Sequence, residues 1–286
     1  MSHTPNHIFS RSGIAALSDL ESAECLELFR LLEIDQERFS EKQVLFRSPQ
    51  YMWPKDPLHT WSRVWEYPYV YYHLKCLKER SASVSLPRVV DLGSGVTFFP
   101  FSISRLGYSV TCTDTDPICA VDLPRAIKNL AHEPGEINFR LVKGPTLPFE
   151  DGEADVLYCI SVLEHIASFE KTLAEVARIL RPGGLLLLTV DLDLRGDAEL
   201  SVKNHRQLTK ELCDNFEYIY QETTTHPSDV LHSANGPFAI ERPKGRQLLK
   251  FVLRQYIANT LLGRKPRPII PFHLAVQGWA MTRRGR

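Results

Sequence analysis

The sequence has no long apolar run, and none of its segments approaches the roughly 18 consecutive apolar residues of a membrane-spanning helix. Its first residues also lack the order of a signal peptide, in which basic residues precede an apolar stretch. Hydrophobic residues make up 43% of the 286 residues and charged residues 24%, which is typical of a globular protein and argues against a disordered or fibrous chain. We therefore expect a folded, cytoplasmic protein without a membrane span.

Cysteine is sparse and scattered. The six cysteines form no Cys-x-x-Cys pair and show no zinc-ligand spacing, which argues against a disulfide framework or a structural zinc site. We expect reduced, buried thiols, as in other proteins of a reducing compartment.

Net charge is absent as well, but the charges are unevenly distributed. Residues 241–286 contain eleven Lys and Arg against one acidic residue, so the remaining 240 residues carry a net charge of −10. A basic tail on an acidic body can attract an anionic partner. It can equally be a solvated surface, or pair with acidic groups of the same chain.

From residue 88 onward, short apolar segments alternate with helical patterns of 10–15 residues. Strands are predicted at residues 88–92, 108–113, 138–142, 155–160 and 185–190. The last of these is nearly all apolar, which is typical of a strand that is buried on both faces. This alternation predicts an α/β fold with a parallel, doubly wound sheet.

The same patterns divide the chain into four parts. Residues 1–85 form an N-terminal helical and aromatic cap, and residues 86–221 form a Rossmann-like core. Residues 222–271 are too long for a plain loop and are interpreted as an insertion or lid, followed by a last strand and basic tail at 272–286. A helical pattern in the insertion allows either a docked helix or lid, or a helix on a membrane surface. The aromatic residues at 51–74 either pack on the core or cover a ligand pocket.

Ligands of open parallel sheets bind beyond the carboxyl ends of the strands, and three segments of this sequence fall there. The first is residues 89–95, where Gly93 and Gly95 would let the backbone approach a ligand closely. The second is Asp114, which could accept both hydroxyls of a ribose or could merely cap the following helix. The third, residues 147–165, spans a turn, a strand and a Glu-His pair.

A dinucleotide site is the first alternative, because it also combines a glycine turn with an acidic ribose partner. Such sites usually have a third glycine three residues after the second, where the helix packs beside the pyrophosphate. Phe98 occupies that place here. The sequence therefore favours a nucleoside that lacks phosphates.

Taken together and in order, these segments resemble the class I S-adenosylmethionine-dependent methyltransferases, in the branch that includes ubiquinone and many natural-product methyltransferases. The resemblance covers roughly residues 86–193 and is carried by residues 89–95, Asp114, and residues 147–157, 162–166 and 175–185. It implies an enzyme with S-adenosylmethionine as cofactor and a mostly parallel sheet of seven strands. A helical N-terminal cap and an insertion before the last strand would complete the fold.

The resemblance also implies the cofactor contacts. The amino-acid end would be held by Asp91, Gly93, Ser94 and Gly95, and the ribose hydroxyls by Asp114. The adenine would be bordered by Thr115, Thr146 and Leu147, and the methionine arm by Cys159, Ile160 and Ser161. Two positions depart from the family pattern: Lys143 replaces an Asp that often contacts the adenine amino group, and Thr97 replaces the third glycine-motif position.

Methyl transfer to a hydroxyl is helped by a base, and His165 is the candidate because its pKa suits neutral pH. The alternative is that His165 only braces its helix. Asp191 and Asp193 could contact the acceptor, and with Glu164 and His165 they could bind a divalent metal. Ser161, however, stands where some ubiquinone O-methyltransferases have an additional Glu, so we expect no metal.

The expected acceptor is a small molecule, a hydroxyl of a secondary metabolite or sugar-like compound, because the cap is aromatic and no nucleic-acid-binding module is recognisable. Candidate acceptor contacts are Trp61, Arg63, Glu66, Tyr67, Asp191 and His232. Two alternatives remain open. One is a macromolecular or carrier-bound acceptor engaged through residues 241–286, and the other is a non-catalytic nucleoside-binding subunit.

Overall fold

One mixed sheet forms the centre of the protein, with helices on both of its faces. The computed structural model describes residues 7–80, 86–166, 168–195, 200–241, 245–246, 248–250, 252–253 and 273–285. The strands are β1 Ser12–Ile14, β2 Arg88–Leu92, β3 Ser109–Asp114, β4 Glu136–Leu141, β5 Ala154–Ile160, β6 Leu180–Asp193, β7 Leu200–Ser201, β8 Phe216–Tyr218, β9 Glu222–Thr223 and β10 Leu274–Arg283. The helices are α1 Ala23–Glu41, α2 Arg63–Arg80, α3 Phe99–Arg105, α4 Cys119–Asn129, α5 Phe169–Ile179 and α6 Val202–Asn215.

The strand order is β4-β3-β2-β5-β6-β10-β1-β9, with β7 paired to β6 and β8 paired to β10. The first five strands are parallel to their neighbours, and β10 is antiparallel to β6 over nine residue pairs. The predicted α/β fold with a mostly parallel, doubly wound sheet is therefore confirmed. Because the parallel strands point the same way, their carboxyl ends meet at one edge, which is where ligands of such sheets bind.

Three short strands, β1, β7 and β9, come in addition to the seven that the resemblance implies. Among the described residues, β8 covers only the end of β10, at Met281–Arg283. Beside Gln277 and Gly278, where β8 does not reach, β10 pairs with β1 instead. The backbone groups of this edge of β10 are therefore not left unpaired. The N-terminal region thus contributes a strand to the sheet itself.

The two faces of the sheet bury separate apolar clusters. Helices α1 to α4 pack on one face, where Val89, Tyr158 and Leu187 point, and α5 and α6 pack on the other, with Leu157 and Leu188. Alternate residues of each strand therefore point to opposite faces, as the pleat of a strand requires. No helix among the described residues is long and apolar enough to cross a membrane.

The predicted insertion is only partly described. Residues 222–241 contain β9 and a 3-10 helix at Pro227–Asp229, and His232 forms an isolated bridge with Ala275 of β10. Of the helical pattern predicted around residues 248–257, the structure describes residues 248–250 and 252–253, which are helical, whereas 251 and 254–257 lie outside the described residues, as does much of the basic segment 241–286.

Helix α2 packs directly against β10 at Gly278. A β-carbon at this position would lie 2.9 Å from Cη2 of Trp65 and 3.2 Å from Cε1 of Tyr69. Both rings are fully buried and stack on each other with centroids 4.6 Å apart, so neither can move away freely.

Gly278→Ala should therefore destabilise the protein by about 1–3 kcal/mol, the usual cost of overpacking a core. Gly285→Ala is the matched control, because a β-carbon there meets no atom within 4 Å. Urea unfolding of both variants measures the difference, and equal midpoints would contradict a tight contact between α2 and β10.

Candidate active site

A cavity of about 630 Å³ opens at the carboxyl ends of β2, β3, β5 and β6. The N-terminal region supplies its facing wall, from Tyr51 to Tyr67. Nine predicted cofactor residues line the cavity: Asp91, Gly93, Ser94, Gly95, Asp114, Thr115, Leu147, Ile160 and Ser161. Four predicted acceptor or catalytic residues also line it: Arg63, Tyr67, His165 and Asp191.

The glycine turn after β2 is tightly enclosed. Gly93 and Gly95 adopt φ angles of +74° and +55°, which residues with a β-carbon rarely adopt. A β-carbon on Gly93 would lie 2.6 Å from the Val162 side chain, and one on Gly95 would lie 2.9 Å from the hydroxyl of Tyr51. Glycine is therefore required at both positions by conformation and by space, which leaves bare backbone at the cavity surface.

Asp114, at the end of β3, holds this turn in place. Its Oδ2 accepts a hydrogen bond of 2.9 Å from the backbone N–H of Gly95, and its Oδ1 accepts one of 2.9 Å from Asp116. The carboxylate thus joins the ends of β2 and β3 and lines the cavity between them.

Asp91, in β2, is a buried carboxyl group beneath the cavity. It is 5% exposed, and its Oδ2 accepts a hydrogen bond of 2.9 Å from the hydroxyl of Tyr158. Burial raises the pKa of Asp91 to about 8, with a further contribution from the nearby negative charge of Asp114. Asp91 is therefore largely protonated at neutral pH in the protein without a ligand.

Asp91 should make the protein less stable as the pH rises from about 4 to about 8. Over this range the native carboxyl keeps its proton while the unfolded one loses it, so the free energy of unfolding falls by at most about 1.4 kcal/mol per pH unit. Asp91→Asn removes this titration and should flatten the decline. Urea unfolding of both proteins at several pH values tests this, and parallel curves would refute it.

A buried polar network joins α2 to the ends of β5 and β6. Oε1 of Glu66 accepts hydrogen bonds of 2.7 Å from Ser161 and 2.5 Å from Thr189, and its Oε2 pairs with Nη1 of Arg63. The same Nη1 donates to the hydroxyl of Ser161 at 2.7 Å. Glu66 has no exposed surface, and Ser161 has a φ of +46°, unusual for a residue with a β-carbon. This network fixes the segment that follows β5.

The carboxyl groups of Glu164 and Asp191 form a pair beside this network. The backbone N–H of Asp191 donates a hydrogen bond of 2.9 Å to Oε1 of Glu164. Burial, together with the adjacent Asp191, raises the pKa of Glu164 well above its ordinary value. His165, the next residue, is exposed and lines the cavity. Among the described residues, no group of three or more His, Cys, Asp or Glu is arranged to hold a metal ion.

Two predicted cofactor residues, Thr146 and Cys159, lie outside the cavity. Cys159 is 1% exposed and belongs to the apolar cluster on the opposite face of the sheet, because Ile160 after it points towards the cavity side and strand residues alternate. Thr146 is exposed to solvent, whereas Leu147 after it is buried and lines the cavity. The placement of the Cys159 side chain at the cofactor is thus corrected, whereas Thr146 lies between the lining residues Pro145 and Leu147, so its contact with the cofactor stays a prediction.

Three predicted acceptor contacts also lie outside the cavity lining. Trp61 is 7% exposed and packs in the core, and Glu66 is enclosed by its hydrogen-bond partners. His232 lies against His273 near the start of β10, with ring centroids 5.3 Å apart. The backbone of the preceding Leu231 pairs with Ala15, which keeps this segment at the outer edge of the sheet. A direct contact of these three side chains with the acceptor is therefore not supported.

Tyr51 and Tyr158 are two of the cavity residues that were not predicted as site residues. Tyr51 accepts a hydrogen bond of 2.8 Å from the backbone N–H of Val96, next to the glycine turn. Tyr158 donates a hydrogen bond to the carboxyl group of Asp91. The aromatic stretch that begins at Tyr51 was a visible signal for the first. Tyr158 follows from strand alternation once Asp91 is placed on the neighbouring strand.

This geometry agrees with comparisons to known proteins. Residues 90–188, which include the glycine turn, Asp114 and Ser161, match the family described as "Methyltransferase domain". The chain contains a class I S-adenosylmethionine-dependent methyltransferase domain.

Curated relatives share this methyltransferase domain over part of their length. The chain is 35% identical over 118 residues to the thiol S-methyltransferase TMT1B of Mus musculus, covering 41% of this chain and 46% of the relative. It is 35% identical over 116 residues to the phthiotriol/phenolphthiotriol dimycocerosates methyltransferase 1 of Mycobacterium ulcerans, covering 37% and 42%. It is 29% identical over 100 residues to the demethylmenaquinone methyltransferase of Tropheryma whipplei (strain Twist), covering 35% and 40%. The chain therefore spans less than half the length of these relatives.

A solved structure extends the likeness of the fold beyond this domain. The crystal structure of the [4+2]-cyclase SpnF aligns with a TM-score of 0.52 at 12% identity, covering 96% of this chain and all of that one. The shared fold thus includes most of the N-terminal region as well as the methyltransferase domain.

Proposed function

We propose that this protein transfers a methyl group from S-adenosylmethionine to a small-molecule acceptor, a hydroxyl of a secondary metabolite or sugar-like compound. The observation that carries the proposal is the cavity, in which the glycine turn, Asp91 and Asp114 face the aromatic N-terminal wall. The names of the relatives support a small acceptor, since they describe methylation of a thiol, a phthiotriol and a demethylmenaquinone by those proteins.

The residues of the cavity fit S-adenosylmethionine. The turn at Gly93 and Gly95 exposes backbone where a β-carbon would collide, so a ligand can lie directly against it. In this proposal Asp114 binds the ribose hydroxyls and the buried Asp91 binds the ammonium of the amino-acid end, since both residues line the cavity. Thr115, Leu147, Ile160 and Ser161 complete the proposed set around the adenine and the methionine arm.

Once bound, the cofactor supplies a methyl group on a sulfonium, which is already a strong electrophile. The protein's part is to align the acceptor and to exclude water. Tyr67 in the facing wall and Tyr51 beside the glycine turn line the same cavity as Ser161. His165 and Asp191 line the same space and are the proposed acceptor contacts, with His165 as the base for a hydroxyl.

Two measurements test the function. Calorimetry with S-adenosylmethionine and S-adenosylhomocysteine tests the cofactor, and formation of S-adenosylhomocysteine with a panel of hydroxylated metabolites tests turnover. Binding without turnover on any acceptor would instead indicate a non-catalytic nucleoside-binding subunit. A steep loss of activity with salt would indicate an anionic macromolecular acceptor, engaged through the basic segment 241–286.

His165→Gln should lower kcat by about 100-fold on the acceptor found in this way, because general-base catalysis typically contributes 10²–10⁴-fold. Affinity for S-adenosylhomocysteine should not change, since the proposed cofactor contacts lie elsewhere in the cavity. The pH profile of kcat should also lose its lower limb. An unchanged kcat would leave His165 as a brace for the 3-10 helix at Leu163–His165.

A further inference from the structure

Arg63 presents one edge of its guanidinium to the cavity. Its Nη1 makes all of the hydrogen bonds found between this side chain and the described residues: those to Glu66, to Ser161 and, at 3.1 Å, to Ser62. Nε and Nη2 make no hydrogen bond with these residues. Neither of them is among the fully buried polar atoms that lack a partner, which means that both retain exposed surface. The side chain is 22% exposed and lines the cavity. Its unused N–H groups are therefore accessible from the cavity.

The orientation of this group is set by the protein. Glu66 and Ser161 hold Nη1, and Glu66 is itself fixed by Thr189. A guanidinium is planar, so fixing one nitrogen in this way limits the directions in which Nε–H and Nη2–H point. These two donors are parallel, and their separation matches the two oxygens of a carboxylate. The edge is thus a preorganised, bidentate donor for a planar anion.

The position of Arg63 relates this edge to both halves of the cavity. Ser161, its hydrogen-bond partner, belongs to the proposed contacts of the methionine arm. Asp191 and Tyr67, on the acceptor side, are close enough to act electrostatically on Arg63. A carboxylate could therefore reach this edge from the cofactor or from the acceptor.

We infer that the Nε–Nη2 edge of Arg63 is a carboxylate-binding site, an inference that rests on the proposed methyl-transfer function. Its ligand is either the α-carboxylate of S-adenosylmethionine or a carboxylate carried by the acceptor. In the second case the acceptor is an acidic metabolite, so Arg63 determines substrate class.

The first arm of the test compares S-adenosylhomocysteine with its decarboxylated analogue by calorimetry, in wild type and in Arg63→Lys. Lysine keeps a positive charge beside Glu66 but lacks the paired donors. If the cofactor supplies the carboxylate, the analogue should bind wild type about 10- to 100-fold more weakly, the range expected for hydrogen bonds to a charged group. In Arg63→Lys the two ligands should differ by less than about 3-fold, because the bidentate contact is gone.

The second arm titrates benzoate into wild type saturated with S-adenosylhomocysteine, with benzamide as the neutral analogue of the same shape. Benzoate is chosen because Tyr51, Trp53 and Tyr67 give the cavity an aromatic lining. If the acceptor supplies the carboxylate, wild type should bind benzoate and not benzamide, and Arg63→Lys should bind neither. Arg38→Lys, at a side chain that is 67% exposed, is the matched control and should behave as wild type in both arms.

A second variant guards against misfolding. Arg63→Gln combined with Glu66→Gln removes both charges and keeps polar side chains of similar size, so the network is not left with one unpaired charge. It should lose carboxylate discrimination as Arg63→Lys does. The inference is overturned if, in both arms, wild type and both variants distinguish the carboxylate ligand from its analogue to the same extent. The proposed function would then remain intact. If S-adenosylhomocysteine does not bind wild type, the proposed function fails instead, and benzoate binding to the ligand-free protein decides the inference.

Discussion

Asp114→Ala should weaken binding of S-adenosylhomocysteine by about 30-fold or more, because two hydrogen bonds to a charged acceptor are lost with the ribose hydroxyls. The structure adds a second reason for a large effect. The Asp114 carboxylate also holds the backbone N–H of Gly95, so its removal loosens the glycine turn that it shares with the ligand. Calorimetry at fixed pH and salt measures the change.

Asp116→Ala is the matched control for this variant. Asp116 follows two residues later and accepts a hydrogen bond from the backbone N–H of Ile118 at the start of α4, outside the cavity lining. Its replacement also removes one negative charge, but should leave the affinity within about 3-fold of wild type. Equal losses in the two variants would mean that only the local charge matters. Unchanged affinity in Asp114→Ala would remove Asp114 from the proposed site.

Glu66→Ala should destabilise the protein by about 3–5 kcal/mol, the usual result of removing one partner of a buried ion pair. The side chain is wholly buried, and its loss leaves Arg63 without its carboxylate partner and the hydroxyls of Ser161 and Thr189 without their acceptor. Urea unfolding followed by fluorescence gives the difference in free energy.

Two further variants show whether this loss of stability arises from the unpaired charge or from the void that the shorter side chain leaves. Thr189→Val removes one hydrogen bond of the same network and should cost only about 1 kcal/mol. Glu66→Leu combined with Arg63→Met replaces both charged partners by apolar groups of similar size and should recover most of the stability that Glu66→Ala loses. A loss below about 1 kcal/mol in Glu66→Ala would contradict the role of the network in joining α2 to the sheet.

Local features were predictable because their chemistry depends on neighbours in sequence. The turn at Gly93 and Gly95 and the carboxylate at Asp114 each follow an apolar strand, so the pattern alone places them at one edge of a parallel sheet. Their lining of a common cavity required only the strand order β3-β2-β5. The nearly apolar segment 185–190 of β6 was predictable for the same reason, since burial on both faces leaves a continuous apolar run.

Features that depend on distant contacts were not predictable in this way. Cys159 was placed at the cofactor from its position in a motif, whereas the pleat of β5 turns it to the opposite face. Residues 1–17 show no strand pattern, yet Ser12–Ile14 pairs with β10 because the short β8 leaves part of that edge open. His232 lies at the outer edge because its neighbour pairs with Ala15, more than 200 residues earlier.

By itself, the sequence determined the α/β class, the parallel core and the glycine turn with its acidic partners, because strand and helix periodicity and turn chemistry act over a few residues. Only the tertiary structure decided what the N-terminal region contributes to the site. Glu66 reaches Ser161 and Thr189 across 95 and 123 residues of sequence, and Arg63 then turns its free edge to the cavity. Contacts of this kind follow from how α2 packs on β5, β6 and β10, where burial forces polar groups to find partners that no local pattern specifies.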